Sequence, residues 1–96
     1  MLQIETADQS TVLLSGRFDA TQVQKAESVL EEIEGDCILD CRGLEYISSA
    51  GIGVILATFK RLHDRSASFK MTNVNQEIRQ VFRYAGLDKI MGIDQE

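Results

Sequence analysis

An alternating pattern opens the chain at residues 2–6. Leu2, Ile4 and Thr6 alternate with the polar residues Gln3 and Glu5, and this period of two predicts a β-strand. A second apolar run, residues 11–15, follows a turn-like segment at residues 7–10. The short separation between the two runs predicts a β-hairpin.

The spacing of apolar positions then changes to three and four residues, which predicts an amphipathic helix over residues 20–34. Asp19 or Thr21 is expected to cap its start and Gly35 to end it. Its apolar positions are Val23, Ala26, Leu30 and Ile33. Its outer face is acidic and carries Glu27, Glu31, Glu32 and Glu34.

The later strands are predicted from short apolar runs. Residues 37–41 are nearly all apolar, which is typical of a strand buried on both faces, in a parallel sheet covered by helices. Residues 43–47 are expected to connect this strand to the next element. Residues 68–72 predict another buried strand, and residues 87–93 a last short one.

Two more helices are expected. One spans residues 49–64 with basic residues near its end, and the other begins after a cap at Asn75 and stops at Gly86. Their apolar stripes are Ile52, Ile55, Leu56, Phe59 and Leu62 in the first, and Ile78, Val81, Phe82 and Ala85 in the second.

The predicted order is therefore β-β-α-β-α-β-α-β in a single domain spanning residues 1–96. This order indicates an α/β fold with a mixed, mostly parallel sheet, an N-terminal hairpin and three helices. Function in such sheets collects at the carboxyl ends of the strands. Those ends are expected at residues 17–19, 42–43 and 71–75, with Ser48 and Ser49 opening the helix that follows the third strand.

The net charge of the chain and its distribution limit the kinds of partner that the protein is expected to bind. The chain has a formal net charge of −5, which argues against nucleic-acid binding because that needs a basic face. Residues 1–50 carry ten acids and three bases, a net charge of −7, whereas residues 51–96 carry five acids and seven bases, a net charge of +2. The acidic half is either ordinary surface charge or a surface that faces a protein partner.

The two cysteines and the lengths of the apolar runs indicate the cellular compartment in which the protein is expected. Cys37 and Cys41 lie four residues apart on one face of the predicted strand, about 13 Å along it, which is too far for a disulfide. We therefore expect buried free thiols, which suit a reducing cytoplasm. No apolar run is long enough for a signal peptide or a membrane span, so membrane insertion is not expected.

The most informative stretch is residues 46–53, Tyr-Ile-Ser-Ser-Ala-Gly-Ile-Gly. It lies at the predicted start of a helix, where free backbone N–H groups and a partial positive charge favour anions such as phosphate. A serine at such a place is either a helix cap or a phosphoacceptor. The residue types and their spacing leave both interpretations open.

Residues 44–56, Leu-Glu-Tyr-Ile-Ser-Ser-Ala-Gly-Ile-Gly-Val-Ile-Leu, resemble the signature of the STAS domain family. That family includes bacterial anti-sigma factor antagonists and cytosolic domains of sulfate transporters. Matching motifs occur in the same order over nearly the whole chain. They are residues 14–20, 38–40, 71–74 and 78–87.

The resemblance implies roles for individual residues. In the antagonists the signature usually reads Asp-Ser-Ser/Thr-Gly, and the serine after the aspartate is phosphorylated. The matching phosphoacceptor here is Ser49, with Ser48 at the aspartate position as a competing acceptor. Ala50 replaces the second hydroxyl residue, and Gly51 matches the glycine. The implied partner-binding residues are Arg17, Asp19, Ser48, Ala50, Gly51 and Ile52.

The resemblance also implies a mechanism, which is partner switching. The unphosphorylated domain binds an anti-sigma factor, a serine kinase with a histidine-kinase-like ATPase fold, and so releases the sigma factor. Phosphorylation of Ser49 reverses the binding, and a serine phosphatase resets the switch. The alternative is a STAS module that is not phosphorylated and docks on a transporter ATPase or a signalling scaffold.

Catalysis by the chain itself is not expected. His63 is the only histidine, and helical rise places it about 20 Å from Ser49, too far for a Ser-His-Asp triad. The sequence has no phosphate-binding loop of the G-x-x-x-x-G-K-[ST] type, and it lacks the acid cluster of a receiver domain. We expect no cofactor and no metal, and a structural role for Asp40.

Overall fold

A computed structural model describes the chain over residues 1–91 and at residue 93. Between the second strand and the first helix lies one 3₁₀ turn, Ala20–Gln22. The strands are β1 (Leu2–Thr6), β2 (Thr11–Phe18), β3 (Cys37–Ile47) and β4 (Phe69–Thr72), and the helices are α1 (Val23–Leu30), α2 (Ser49–Asp64), α3 (Gln76–Tyr84) and α4 (Asp88–Met91).

The four strands form one mixed sheet in the order β1-β2-β3-β4. β1 pairs antiparallel with β2 as the predicted hairpin, and the β2–β3 and β3–β4 pairs are parallel. The last β element is a single parallel bridge between Met71 and Ile93. The prediction of a strand over residues 87–93 is wrong, because Asp88–Met91 form the short helix α4. The predicted fold class is confirmed.

β3 is longer than predicted. The segment expected to be a connection, residues 43–47, continues the strand, and two register shifts give β3 one extra residue each against β2. Arg42 and Gly43 consequently lie inside the strand, so the prediction that they mark a strand end is wrong. The carboxyl ends of β2 and β3 are Phe18 and Ile47, which pair with each other.

The sheet buries one face rather than two. Cys37, Leu39 and Cys41 are buried, but Ile38 between them is 38% exposed. The prediction of a strand buried on both faces is therefore wrong, because Ile38 fits an exposed pleat as well as a core. Within the described residues, the helices cover only the face that carries the cysteines.

α1 ends a full turn earlier than predicted. Asp19 caps the preceding 3₁₀ turn, and its Oδ1 accepts a hydrogen bond from the Thr21 N–H at 3.0 Å. At the other end the Arg61 guanidinium donates to the carbonyls of Leu30 and Ile33 at 2.7 and 2.9 Å. Arg61 thus satisfies the terminal carbonyls that a glycine cap at Gly35 was expected to serve.

The other two main helices follow the sequence closely. α2 has the predicted bounds, and Asn75 caps α3 by accepting from the Ile78 N–H at 2.9 Å. Gly86 has a φ of 76°, as a helix-ending glycine requires. Val81 is 37% exposed, however, and Ala85 is also exposed, so α3 buries a narrower stripe than predicted.

The outer edge of β1 is partly covered by side chains from the segment that follows β2. The Leu2 N–H donates to Gln22 Oε1 at 3.2 Å, and Lys25 Nζ donates to the Leu2 carbonyl at 2.6 Å. Both outward backbone groups of Leu2 are therefore satisfied.

Among the helices of the described residues, none is both long enough and apolar enough to cross a membrane.

Cys37 and Cys41 are buried free thiols, as predicted. Burial raises the pKa of Cys37 to about 11 and that of Cys41 to about 12. Only the thiolate is a good nucleophile. Both side chains should therefore be unreactive in the folded domain.

We expect neither cysteine to react quickly with a thiol-specific reagent at about pH 8 in the folded protein, because each thiol is both buried and protonated. Mass spectrometry after timed labelling measures this. The same reagent in denaturant should modify both residues, which serves as the control. Rapid labelling without denaturant would contradict the buried placement.

Candidate functional site

The candidate site is built where the carboxyl ends of β2 and β3 meet the start of α2. Phe18 pairs with Ile47, and the Ser48 N–H donates to the Phe18 carbonyl at 2.9 Å. Asp19 and Ser48 directly follow this pair of residues. Two of the predicted functional segments, residues 17–19 and 48–53, are therefore brought together at one end of the sheet.

Ser48 is the N-cap of α2. Its backbone is extended, with φ −89° and ψ 172°, and its Oγ accepts from the Gly51 N–H at 3.2 Å. Its carbonyl accepts from the Ile52 N–H at 2.9 Å and so begins the helical pattern. The Ser48 hydroxyl is thus engaged in forming the helix start.

Ser49 is the first residue of α2, and it is exposed. Its hydroxyl makes no hydrogen bond to any residue in the described part of the chain. The first turn of α2 contains no acidic residue, and its orphan N–H groups give the helix start a partial positive charge. An added phosphate at Ser49 would therefore lie in solvent beside a favourable dipole.

Gly51 allows α2 to begin directly against the sheet. A Cβ at this position would lie 2.9 Å from Ile47 Cγ1 and 3.0 Å from the Phe18 carbonyl oxygen, closer than normal packing permits. A Cβ at Gly53 would meet nothing within 4 Å. Gly51 is itself buried, and its lack of a side chain permits the close packing of α2 on the sheet.

The Asp19 carboxylate belongs to the same end of the sheet. Its Oδ1 also accepts from Thr21 Oγ1 at 2.5 Å. This hydrogen bond lowers the pKa of Asp19 below its ordinary value, and the positive charges of the N-terminus and Arg17 act in the same direction. Asp19 is therefore a fixed negative charge at neutral pH, adjacent to the start of α2.

Arg17 and Tyr46 form a pair that sequence reasoning did not find. They are partners in the β2–β3 register, and the Arg17 guanidinium carbon lies 4.2 Å from the centre of the Tyr46 ring, a cation–π contact. Tyr46 is 39% exposed. The pairing depends on the register shifts within β3, which no local sequence signal reveals.

The remaining side chains considered from sequence lie elsewhere. Asp40 Oδ1 accepts from the Arg42 N–H and from Asn73 Nδ2, both at 3.0 Å, which is a structural role. His63 is exposed near the end of α2 and stacks on Phe59, with ring centres 5.7 Å apart. It lies at the opposite end of α2 from Ser49.

Comparison with known proteins decides the family. The family model described as "Mlab, STAS domain" matches residues 2–93. The chain belongs to the STAS domain family. The resemblance inferred from residues 44–56 is therefore confirmed.

Two similar proteins are named as anti-sigma factor antagonists. The chain is 29% identical to the Anti-sigma F factor antagonist of Paenibacillus polymyxa, over 96% of this chain and 86% of that protein. It is 27% identical to an Anti-sigma-B factor antagonist of Staphylococcus aureus, over 98% of this chain and 94% of that protein. The solved structure of the Bacillus cell fate determinant SpoIIAA in the phosphorylated form superposes with a TM-score of 0.71 at 21% identity, covering 100% of this chain and 93% of that one.

Mutation of Ser48 and mutation of Ser49 should have different effects on the stability of the fold. Ser48→Ala removes the cap and should lower the free energy of unfolding by about 0.5–2 kcal/mol, whereas Ser49→Ala should change it by less than about 0.5 kcal/mol. Ser48→Asp retains a capping carboxylate and is the matched control. Urea unfolding followed by circular dichroism measures all three, and equal losses for the two alanine variants would contradict the assignment.

Alanine substitutions at the two glycines in the first turns of α2 should change the stability of the fold in opposite directions. Gly51→Ala forces a Cβ against Phe18 and Ile47 and should destabilise the fold by about 1–3 kcal/mol. Gly53→Ala meets open space and should stabilise it by up to about 1 kcal/mol, since alanine favours the helix. Thermal unfolding of both variants checks this, and a stabilising Gly51→Ala would refute the close packing.

Proposed function

We propose that this STAS protein is an anti-sigma factor antagonist that works by partner switching. In its unphosphorylated form it binds an anti-sigma factor and so releases a sigma factor. Phosphorylation of Ser49 ends that binding. Two relatives named as antagonists, which align over nearly the whole chain, support this role.

One observation carries the assignment of Ser49. Its hydroxyl is exposed at the start of α2 and has no hydrogen bond to a described residue, whereas the neighbouring Ser48 hydroxyl accepts from the Gly51 N–H. A phosphoacceptor must reach into another protein's active site without breaking its own fold. Ser49 meets that condition, and Ser48 meets it less well because modification would disturb the cap.

The proposed partner surface surrounds this serine. Arg17 and Ala50 are exposed, and Asp19, Ser48 and Ile52 are half-buried, so their side chains or backbone are accessible. Arg17 is steadied by the Tyr46 ring, which adds an exposed aromatic to the same patch. Arginine and tyrosine are the residue types that most often dominate binding energy at interfaces.

The chemistry belongs to the partner. In the proposed step, Ser49 Oγ attacks the γ-phosphorus of ATP held by a kinase with a histidine-kinase-like ATPase fold. The bond from that phosphorus to the β–γ bridging oxygen breaks, ADP leaves, and the hydroxyl proton passes to a base of the kinase. A serine phosphatase then hydrolyses the phosphoserine. The antagonist supplies no catalytic group or cofactor and works in the cytoplasm, where ATP is available.

The consequence of the modification is electrostatic. A phosphate adds about −1.5 to −2 charges to a chain whose net charge is already −5. Within the domain the start of α2 offsets the added charge, so the fold should persist. In a close interface an unpaired charge is costly, and a loss of about 3 kcal/mol lowers affinity more than a hundredfold.

A second function is favoured by two departures from the antagonist signature. Ser48 preserves the cap but not the negative charge of the usual aspartate, and Ala50 removes the second hydroxyl group. Both changes are compatible with a STAS module that is never phosphorylated. Such a module would dock on a transporter ATPase or a signalling scaffold through the same end of the sheet.

Incubation with ATP and the anti-sigma factor kinases of the source organism tests the proposal. We expect one phosphate on Ser49 by intact-mass analysis and peptide mapping, loss of kinase binding, and a melting temperature within a few degrees of the unmodified protein. Ser49→Ala should remain unmodified, and Ser48→Ala should still be modified. Phosphate on Ser48 would overturn the site, and stable binding to an ABC-type ATPase without any modification would favour the second function.

A further inference from the structure

A groove runs between α1 and α2 on the outer surface of the domain. It encloses a cavity of about 160 Å³, and we call it the α1–α2 groove. Helical rise places Val54, where the groove begins on α2, about 8 Å from Ser49. The residues lining it are Glu27, Leu30 and Glu31 from α1, and Val54, Ala57, Thr58 and Arg61 from α2.

The floor of the groove is apolar. Leu30 and Val54 are buried core residues, and Thr58 is only 6% exposed. The Thr58 hydroxyl donates to the Val54 carbonyl at 2.9 Å, so its polar atom is already satisfied. On the α2 side Ala57 is exposed and small, which leaves room for an incoming side chain.

The rim of the groove is acidic. Glu27 and Glu31 are exposed and lie four residues apart on α1, where like charges repel mildly. Neither takes part in an ion pair with a residue in the described part of the chain. Arg61, the one cation of the groove, donates instead to the carbonyls of Leu30 and Ile33.

We propose that the α1–α2 groove receives a helix of the protein partner, with an apolar side chain on the floor and lysine or arginine beside Glu27 and Glu31. This inference rests on the proposed function, because the groove continues along α2 from the surface around Ser49. The charge at its rim selects a basic partner segment. Small exposed residues on α2, Ala50, Gly53 and Ala57, let that helix approach closely.

A pair of charge-reversal variants tests the groove on the full chain. Glu27→Lys/Glu31→Lys reverses the rim, and Glu32→Lys/Glu34→Lys makes the same change in net charge on exposed residues outside the groove. We expect the first variant to weaken binding of the cognate anti-sigma factor kinase at least roughly tenfold, and the second to change it less than about twofold. Ala57→Leu should also weaken binding while leaving the melting temperature unchanged.

A second probe does not depend on that kinase. A synthetic amphipathic helix with leucines on one face and lysines and arginines on the other is titrated into isotope-labelled protein. Saturable amide shifts at residues 27–31 and 54–58, absent with a glutamate-substituted twin peptide and in Glu27→Lys/Glu31→Lys, would support the groove. Shifts elsewhere, or equal shifts in both double variants, would overturn it.

The kinase-binding and peptide-titration experiments together show whether the groove proposal or the proposed function fails. If the kinase fails to bind but the basic peptide occupies the groove, the proposed function fails and the groove stands. If the kinase binds and both double variants bind it equally, the groove is refuted and the function stands. Self-association that is lost only in Glu27→Lys/Glu31→Lys would replace the partner helix with a second copy of this chain and overturn the proposal.

Discussion

The packing of the first turn of α2 against the ends of β2 and β3 is the constraint on which the rest of the site depends. Gly51 has no room for a side chain beside Phe18 and Ile47, and the Ser48 N–H is bound to the Phe18 carbonyl. The helix start is therefore fixed in position and direction. Ser49 is exposed because Ser48 and Gly51, on either side of the Ser49–Ala50 pair, hold the backbone against the sheet.

Fixing the helix start in this way suits a switch that changes charge rather than shape. A site on rigid elements holds its geometry better than one on a loop. Because the Ser49 side chain contributes little to packing, its chemistry can vary while the scaffold stays constant. Under the proposed function, the surface that a partner meets would differ only in local charge, and the domain would not have to refold in each cycle.

Local signals made much of the site predictable from sequence. The caps Ser48 and Asn75 and the stop at Gly86 each act through hydrogen bonds or dihedral angles within a few residues, so α2 and α3 were located correctly. Long-range effects were not predictable. α1 ends where Arg61, about thirty residues away in sequence, reaches its carbonyls. The length of β3 and the Arg17–Tyr46 pair depend on register shifts set by the neighbouring strand.

The partly covered edge of β1 has a consequence for how the protein behaves at high concentration. An exposed edge strand is a template for pairing with another chain, and native proteins block such edges with charged side chains or covering segments. Here Gln22 and Lys25 occupy both outward backbone groups of Leu2, and a charged ammonium group stands where an incoming strand would have to bond. Strand addition at Leu2 is therefore disfavoured, which favours association through side-chain surfaces over pairing at that end of β1.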